Sequence, residues 1–217
     1  MFRLALVTRR GFSGDSSHPV DWEADAADIA GLLDQPAHLL GHSYGAIGSL
    51  LAAARAPDRV RSLTVIEPPA FSLLPEDPDV ARLVTRLQAI FARGGEPEDV
   101  YADFVAAFGH RRPTRVPPQL AAAVRASARE RGPWEAVLPL DELRGAAYPK
   151  LVVTGGWRAL PDRARALGGI VFNRVADALA AAIDAERLTI EDAGHLPHQF
   201  DETVNDRLRS LAGARVS

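Results

Sequence analysis

Apolar runs and amphipathic stretches alternate along much of this chain. Residues 2–8 form a short apolar run that ends in a Gly/Ser/Asp-rich stretch at 11–17, which predicts a strand followed by a loop. Asp21 then opens a helix in which Trp22, Ala26, Ile29, Ala30 and Leu33 recur at helical spacing, and Asp34-Gln35-Pro36 stops it. A second strand at 37–41 runs straight into a small-residue helix at 44–55. A third strand at 60–66 is closed by Glu67-Pro68-Pro69.

The strand–helix alternation predicts a parallel sheet with helices on its faces. It breaks off over residues 72–147, where helical stretches near 78–93, 97–108 and 117–131 are separated by Gly94-Gly95 and a proline-rich segment at 111–118. Strands resume at 150–154 and 187–190, with helices near 175–183 and 202–211. The expectation is an α/β, doubly wound, mostly parallel sheet of about five strands. Residues 1–71 and 148–217 make the core and 72–147 a helical lid. The first strand, left at a sheet edge, offers a second copy a pairing surface and leaves a homodimer open.

A length of 217 residues suits one domain carrying a modest insertion, and 47 % hydrophobic with 24 % charged residues is ordinary for a globular chain. The net charge of -3 supplies no basic field for nucleic acid or an anionic membrane surface. Short clusters such as Arg9-Arg10 and Arg111-Arg112 read as solvated loop charge. The absence of cysteine removes disulfides, thiol nucleophiles and thiolate metal sites. The histidines show no metal-ligand spacing, so neither metal nor cofactor is expected. The apolar run at the N-terminus is too short for a signal-peptide core or a bilayer span, which makes a cytoplasmic location the expectation.

Chemistry concentrates at Gly41-His42-Ser43-Tyr44-Gly45. This is G-x-S-x-G between an apolar strand and a small-residue helix, the context in which the motif places a serine on a tight, strained turn. A serine hydroxyl is a weak nucleophile until a base takes its proton. Ala193-Gly194-His195, in the loop after the last strand, supplies the candidate. His198 ranks second because it lacks the preceding glycine.

Together with Arg10-Gly11-Phe12-Ser13-Gly14, these segments look like the α/β-hydrolase family over most of the chain outside the lid. The resemblance implies a Ser43–acid–His195 triad and an oxyanion hole that uses the backbone N–H of Tyr44. His42 is counted with the substrate-binding residues.

The chain departs from the family pattern twice. The acid usually follows a glycine after the penultimate strand, but here Gly155-Gly156-Trp157-Arg158 puts an arginine there. Two carboxylates remain as candidates. Glu67 ends the strand after the elbow helix, a position that supplies the acid in haloalkane dehalogenases, and Asp162 requires its loop to bend back. Glu67 is favoured. The second departure is the missing His-Gly loop that donates the other oxyanion N–H; if the sheet closes up, Gly11 or Phe12 takes that place.

The resulting expectation is a serine hydrolase cleaving an ester or thioester of a small to medium apolar substrate through an acyl-enzyme. Phe71, Leu74, Phe91, Phe104, Phe108 and Trp134 would line its pocket. Alternatives are a non-hydrolytic lyase or cyclase, or a catalytically impaired module that keeps the pocket for binding.

Overall fold

A computed structural model describes residues 4–12 and 21–213. Its centre is a parallel four-stranded sheet in the order β1-β2-β3-β4, with β1 at Ala37–His42, β2 at Val60–Ile66, β3 at Lys150–Gly155 and β4 at Glu186–Ile190. The register pairs His42 with Ile66, Ile66 with Val153, and Gly155 with Ile190, so the carboxyl ends of all four strands finish at one rim. In an open parallel sheet that rim is where ligands bind.

Alternation along the strands divides the core. Leu63, Val65 and Val152 point into a large cluster shared with helices α1 (Trp22–Leu32), α2 (Tyr44–Arg55) and α8 (Ile170–Ile183). Ile66, Leu151, Val153 and Ile190 point the other way, onto Val204 of α9 (Thr203–Leu211). Helices thus cover both faces, giving the expected α/β fold built on a parallel sheet. The three crossovers between consecutive strands all run in one direction across the sheet.

Local chemistry explains the main elements. Asp21 caps α1 by accepting from the N–H groups of Glu23 and Ala24, and its side chain also holds Arg131 at 2.8 Å. Helix α2 is buried on almost every side from Ala46 to Ala53, which its small residues permit. At Gly48 an added Cβ would lie 2.8 Å from Asp25 Cβ, so glycine there lets α1 cross close. Between β2 and β3 come α3 (Pro78–Arg93), α4 (Pro97–Ala107), α5 (Pro118–Ser127) and α6 (Leu140–Gly145). Helix α3 buries Val80, Leu83, Leu87 and Ile90, a single stripe at helical spacing.

Two elements differ from the sequence reading. Residues 4–9 are not a strand: Leu4 is 80 % and Leu6 86 % exposed, and β1 pairs only with β2 among the described residues. An apolar run becomes a strand only where a neighbour completes its hydrogen bonds, so four strands are described rather than about five. Residues 2–3 and 13–17 of the expected first strand and loop lie outside the described residues.

The second difference is α8, which begins well before residue 175. A helical turn, α7 (Asp162–Ala164), and a π-helical segment, Arg165–Gly169, lead straight into it. Gly168 and Gly169 close the π-helical segment. Here the pair makes room for an indole, since a Cβ on Gly168 would sit 2.8 Å from the Trp157 ring. The whole stretch Asp162–Ile183 is long and apolar enough to cross a membrane by length and composition, yet half of it is buried within the fold.

Candidate active site

The turn from β1 into α2 carries Ser43 at φ 52° and ψ -130°, a conformation that a non-glycine residue adopts only under strain. Its N–H continues the sheet ladder to the Ile66 carbonyl at 2.9 Å, and its own carbonyl accepts from Ala46 at 2.9 Å. Gly41 makes the turn feasible, because a Cβ there would meet Ser49 Oγ at 2.6 Å and Ala46 Cα at 2.7 Å. Positive φ recurs at Glu67 (48°) and Trp157 (59°), just past the ends of β2 and β3. Strain of about 1–3 kcal/mol per such residue collects at functional rims.

Three side chains meet there. The Ser43 hydroxyl lies 3.1 Å from His195 Nε2, and His195 Nδ1 lies 3.3 Å from Glu67 Oε2. Glu67 is fully buried, and its other oxygen accepts the Gly155 N–H at 2.7 Å. Glu67 can thus accept from imidazole Nδ1–H, leaving Nε2 to accept the serine proton.

The loop bearing His195 is fastened to the end of β3. Trp157 N–H donates to the Ala193 carbonyl at 2.8 Å, and Gly155 leaves only 2.2 Å between a would-be Cβ and that oxygen. Arg158, which stands where the resemblance leads one to expect an acid, pairs with Glu191 at 2.9 Å and is 68 % exposed. Asp162 is elsewhere: its side chain is 93 % exposed and paired with Arg165. Helix propagation from residue 162 carries it away along α7 instead of folding it back.

Tyr44 is the first residue of α2, so its N–H belongs to the turn in which helices have no internal acceptor. The proposed partner donors fare differently. Arg10–Phe12 form a 3-10 turn, the Phe12 N–H donates to the Arg9 carbonyl at 2.9 Å, and neither Gly11 nor Phe12 lines the cavity beside Ser43. His42 does not line it either. Its Nε2 sits 2.9 Å from the His195 carbonyl.

That cavity has a volume of about 370 Å³ and reaches Ser43 and His195. One wall is an aromatic chain: the Phe172 ring lies 5.0 Å from His195 and 5.8 Å from Phe108, which lies 5.0 Å from Phe104. Phe71, Phe91 and Trp134 also line it, whereas Leu74 does not line it and packs, partly buried, against the core.

The lining also has a polar part, Arg9, Glu130 and Arg131, which the sequence reading missed. Arg9 is no solvated loop charge. It bonds Asp25 at 2.6 Å and Glu130, and its guanidinium lies 4.4 Å over the Tyr44 ring. Burial raises Asp25 and pushes Glu130 up to about 7, outweighing an arginine that the two carboxylates share. Burial also lowers His110, another lining residue. No local motif ties Arg9 to Glu130, which is 121 positions away. Among the described residues no cluster of His, Asp and Glu is arranged to hold a metal ion.

Residues 2–207 match the model of the alpha/beta hydrolase family. The chain belongs to that family. It is 43 % identical over 63 residues to a pimeloyl-[acyl-carrier protein] methyl ester esterase of Neisseria meningitidis serogroup A, a match covering 29 % of this chain and 20 % of that one. It is 30 % identical over 214 residues to the Bacillus subtilis carboxylesterase YbfK, covering 95 % of this chain and 64 % of that one. The chain thus spans less than two thirds of either relative. Among solved structures, a thermophilic esterase from Thermogutta terrifontis superposes with a TM-score of 0.64 at 22 % identity, covering 94 % of this chain and 78 % of that one. That likeness concerns the fold.

Proposed function

We propose that this alpha/beta hydrolase family member is a serine hydrolase that cleaves an ester or thioester of a small to medium apolar acyl group. The carrying observation is the 3.1 Å approach of Ser43 Oγ to His195 Nε2 at the wall of an aromatic-lined cavity. Ser43 Oγ attacks the acyl carbonyl carbon while His195 takes its proton. The oxyanion is held by Tyr44 N–H, and Glu67 orients the imidazole and offsets its charge. Collapse expels the alcohol or thiol, which receives that proton, and water then hydrolyses the acyl-enzyme by the same route. Names of relatives, carboxylesterase and methyl ester esterase, support the ester class. Residues 72–147 would act as the lid over the acyl group, with Phe91, Phe104 and Phe108 on its inner side.

A fluorophosphonate probe tests this. Wild type should be labelled and turn over p-nitrophenyl butyrate, and Ser43→Ala should do neither. Folded wild type that is unlabelled from pH 6 to 9 would overturn the reading. One observation favours a second reading, a binding module of impaired turnover: the Phe12 N–H is spent inside its own turn. Losing one oxyanion donor costs about 2.7–4 kcal/mol in the transition state. Stoichiometric labelling without measurable turnover of any acyl ester would favour that alternative.

A further inference from the structure

We propose that His42 is a positioning residue that fixes the catalytic base by donating a hydrogen bond from Nε2 to the main-chain carbonyl of His195. This rests on the hydrolase reading above and adds a residue to its machinery. His42 is the last residue of β1 and directly precedes Ser43, so its backbone is set by the same turn as the nucleophile. Its Nε2 reaches across 153 positions of sequence to the His195 carbonyl at 2.9 Å. A carbonyl only accepts, so the proton is on Nε2 and the ring is the Nε2–H tautomer.

The surroundings favour that state. The His42 ring lies 4.9 Å from the His195 ring and 4.9 Å from the His198 ring. Burial, and then the proximity of His195, lowers the His42 pKa to about 4, so the ring is neutral throughout the range in which esters are assayed. A neutral ring puts no fixed cation beside the imidazolium that forms during turnover.

The carbonyl needs this partner. Upstream, the loop is pinned through Ala193, whose carbonyl holds Trp157 N–H. Downstream, the next backbone bonds are Gln199 to Leu196 and Phe200 to Pro197, and no backbone N–H donates to the His195 carbonyl among the described residues. Leu196 is 46 % exposed and Gly194 precedes the histidine, so between these anchors the bond to His42 is what fixes the main chain, beside the contacts of the His195 side chain with Glu67 and Ser43. The single side-chain bond spans the two elements whose separation sets the 3.1 Å contact between Ser43 and His195. Misplacement by about 1 Å at such a contact can cost on the order of 100-fold in rate.

The test compares three variants by p-nitrophenyl butyrate kinetics, fluorophosphonate labelling rate and thermal melting. His42→Gln can place an amide N–H near the position of Nε2. His42→Asn reaches only as far as Nδ1, and His42→Phe keeps a ring without a donor. The expectation is that H42N and H42F lower kcat and the labelling rate about 10- to 100-fold with KM within about threefold, and that H42Q recovers most of the loss. If H42F does not fold, H42Q against H42N still decides.

Wild-type kcat in H42F or H42N overturns the role, and so does an H42Q as impaired as they are, because ring packing would then be what matters. A loss confined to KM also overturns it. Wild type that is itself unlabelled overturns the hydrolase reading and this role together, which keeps the two failures distinct.

Discussion

Glu67 is tied to the strand next door: one carboxylate oxygen accepts the Gly155 N–H at 2.7 Å while the other faces His195 Nδ1 at 3.3 Å. The carboxylate therefore has a structural and a chemical task that different substitutions can separate. Glu67→Gln keeps an acceptor for Gly155 but turns an amide N–H toward His195, which favours the wrong imidazole tautomer. The expected result is a fall in kcat of roughly 10³- to 10⁴-fold with little change in melting temperature. Glu67→Ala should be as inactive and also less stable by about 1–3 kcal/mol, since a buried N–H loses its acceptor. An E67Q protein of near wild-type kcat would remove Glu67 from the triad.

Asp162 provides the matching control. Its side chain is 93 % exposed and its partner is Arg165, one turn along. Exposed pairs of this kind contribute only about 0–1 kcal/mol. Asp162→Asn should leave kcat and KM within about twofold and melting unchanged. A drop comparable to that of E67Q would show that the 157–165 loop rearranges during turnover and delivers Asp162 to the base.

Much of this arrangement was legible in the sequence because it is written locally. Gly41-His42-Ser43-Tyr44-Gly45 between a strand and a small-residue helix specifies a tight turn, and Glu67 at the end of a buried strand specifies a carboxylate at the same rim. What escaped depends on distant partners. Residues 4–8 have the composition of a strand but, among the described residues, no neighbouring strand to complete one. The helix expected near 175–183 starts earlier and runs through Gly168-Gly169, which clear space for Trp157. Arg9 and Glu130 carry no periodic signal because their meeting depends on how α5 lies over the Arg10–Phe12 turn.

The Arg9–Glu130 contact predicts a pH effect on stability. Burial puts the Glu130 carboxyl near 7 in the folded protein, above its ordinary value of 4.5. A carboxyl raised on folding favours the folded state while protonated. Its contribution is full below about pH 4.5 and is lost as pH rises through 7. Wild type should therefore lose more melting temperature between pH 5 and 8 than Glu130→Gln does, by a few degrees at roughly 2–4 °C per kcal/mol. Asp25, raised in the same direction, and Asp21 repel Glu130, and Asp25 shares its arginine, so the difference between the two proteins reads Glu130 together with its coupling to these carboxylates. Identical pH–melting curves for the two proteins would show that Glu130 does not titrate in this window.

Phe104 tests where the acyl group goes. It lines the cavity from α4, with Phe108 at 5.0 Å and Phe91 at 6.1 Å, and it is separated from His195 by the rings of Phe108 and Phe172. Phe104→Ala deepens that end without touching Ser43, His195 or Glu67. Each buried methylene is worth about 0.8 kcal/mol, so two more should raise the kcat/KM ratio of a longer over a shorter p-nitrophenyl ester on the order of tenfold relative to wild type. The stability cost should stay below the roughly 3–5 kcal/mol of a fully buried Phe→Ala change, because Phe104 is only partly buried. A chain-length profile that does not move would place the acyl group beside the Arg9–Glu130 pair instead, where added methylenes would have to displace an ion pair.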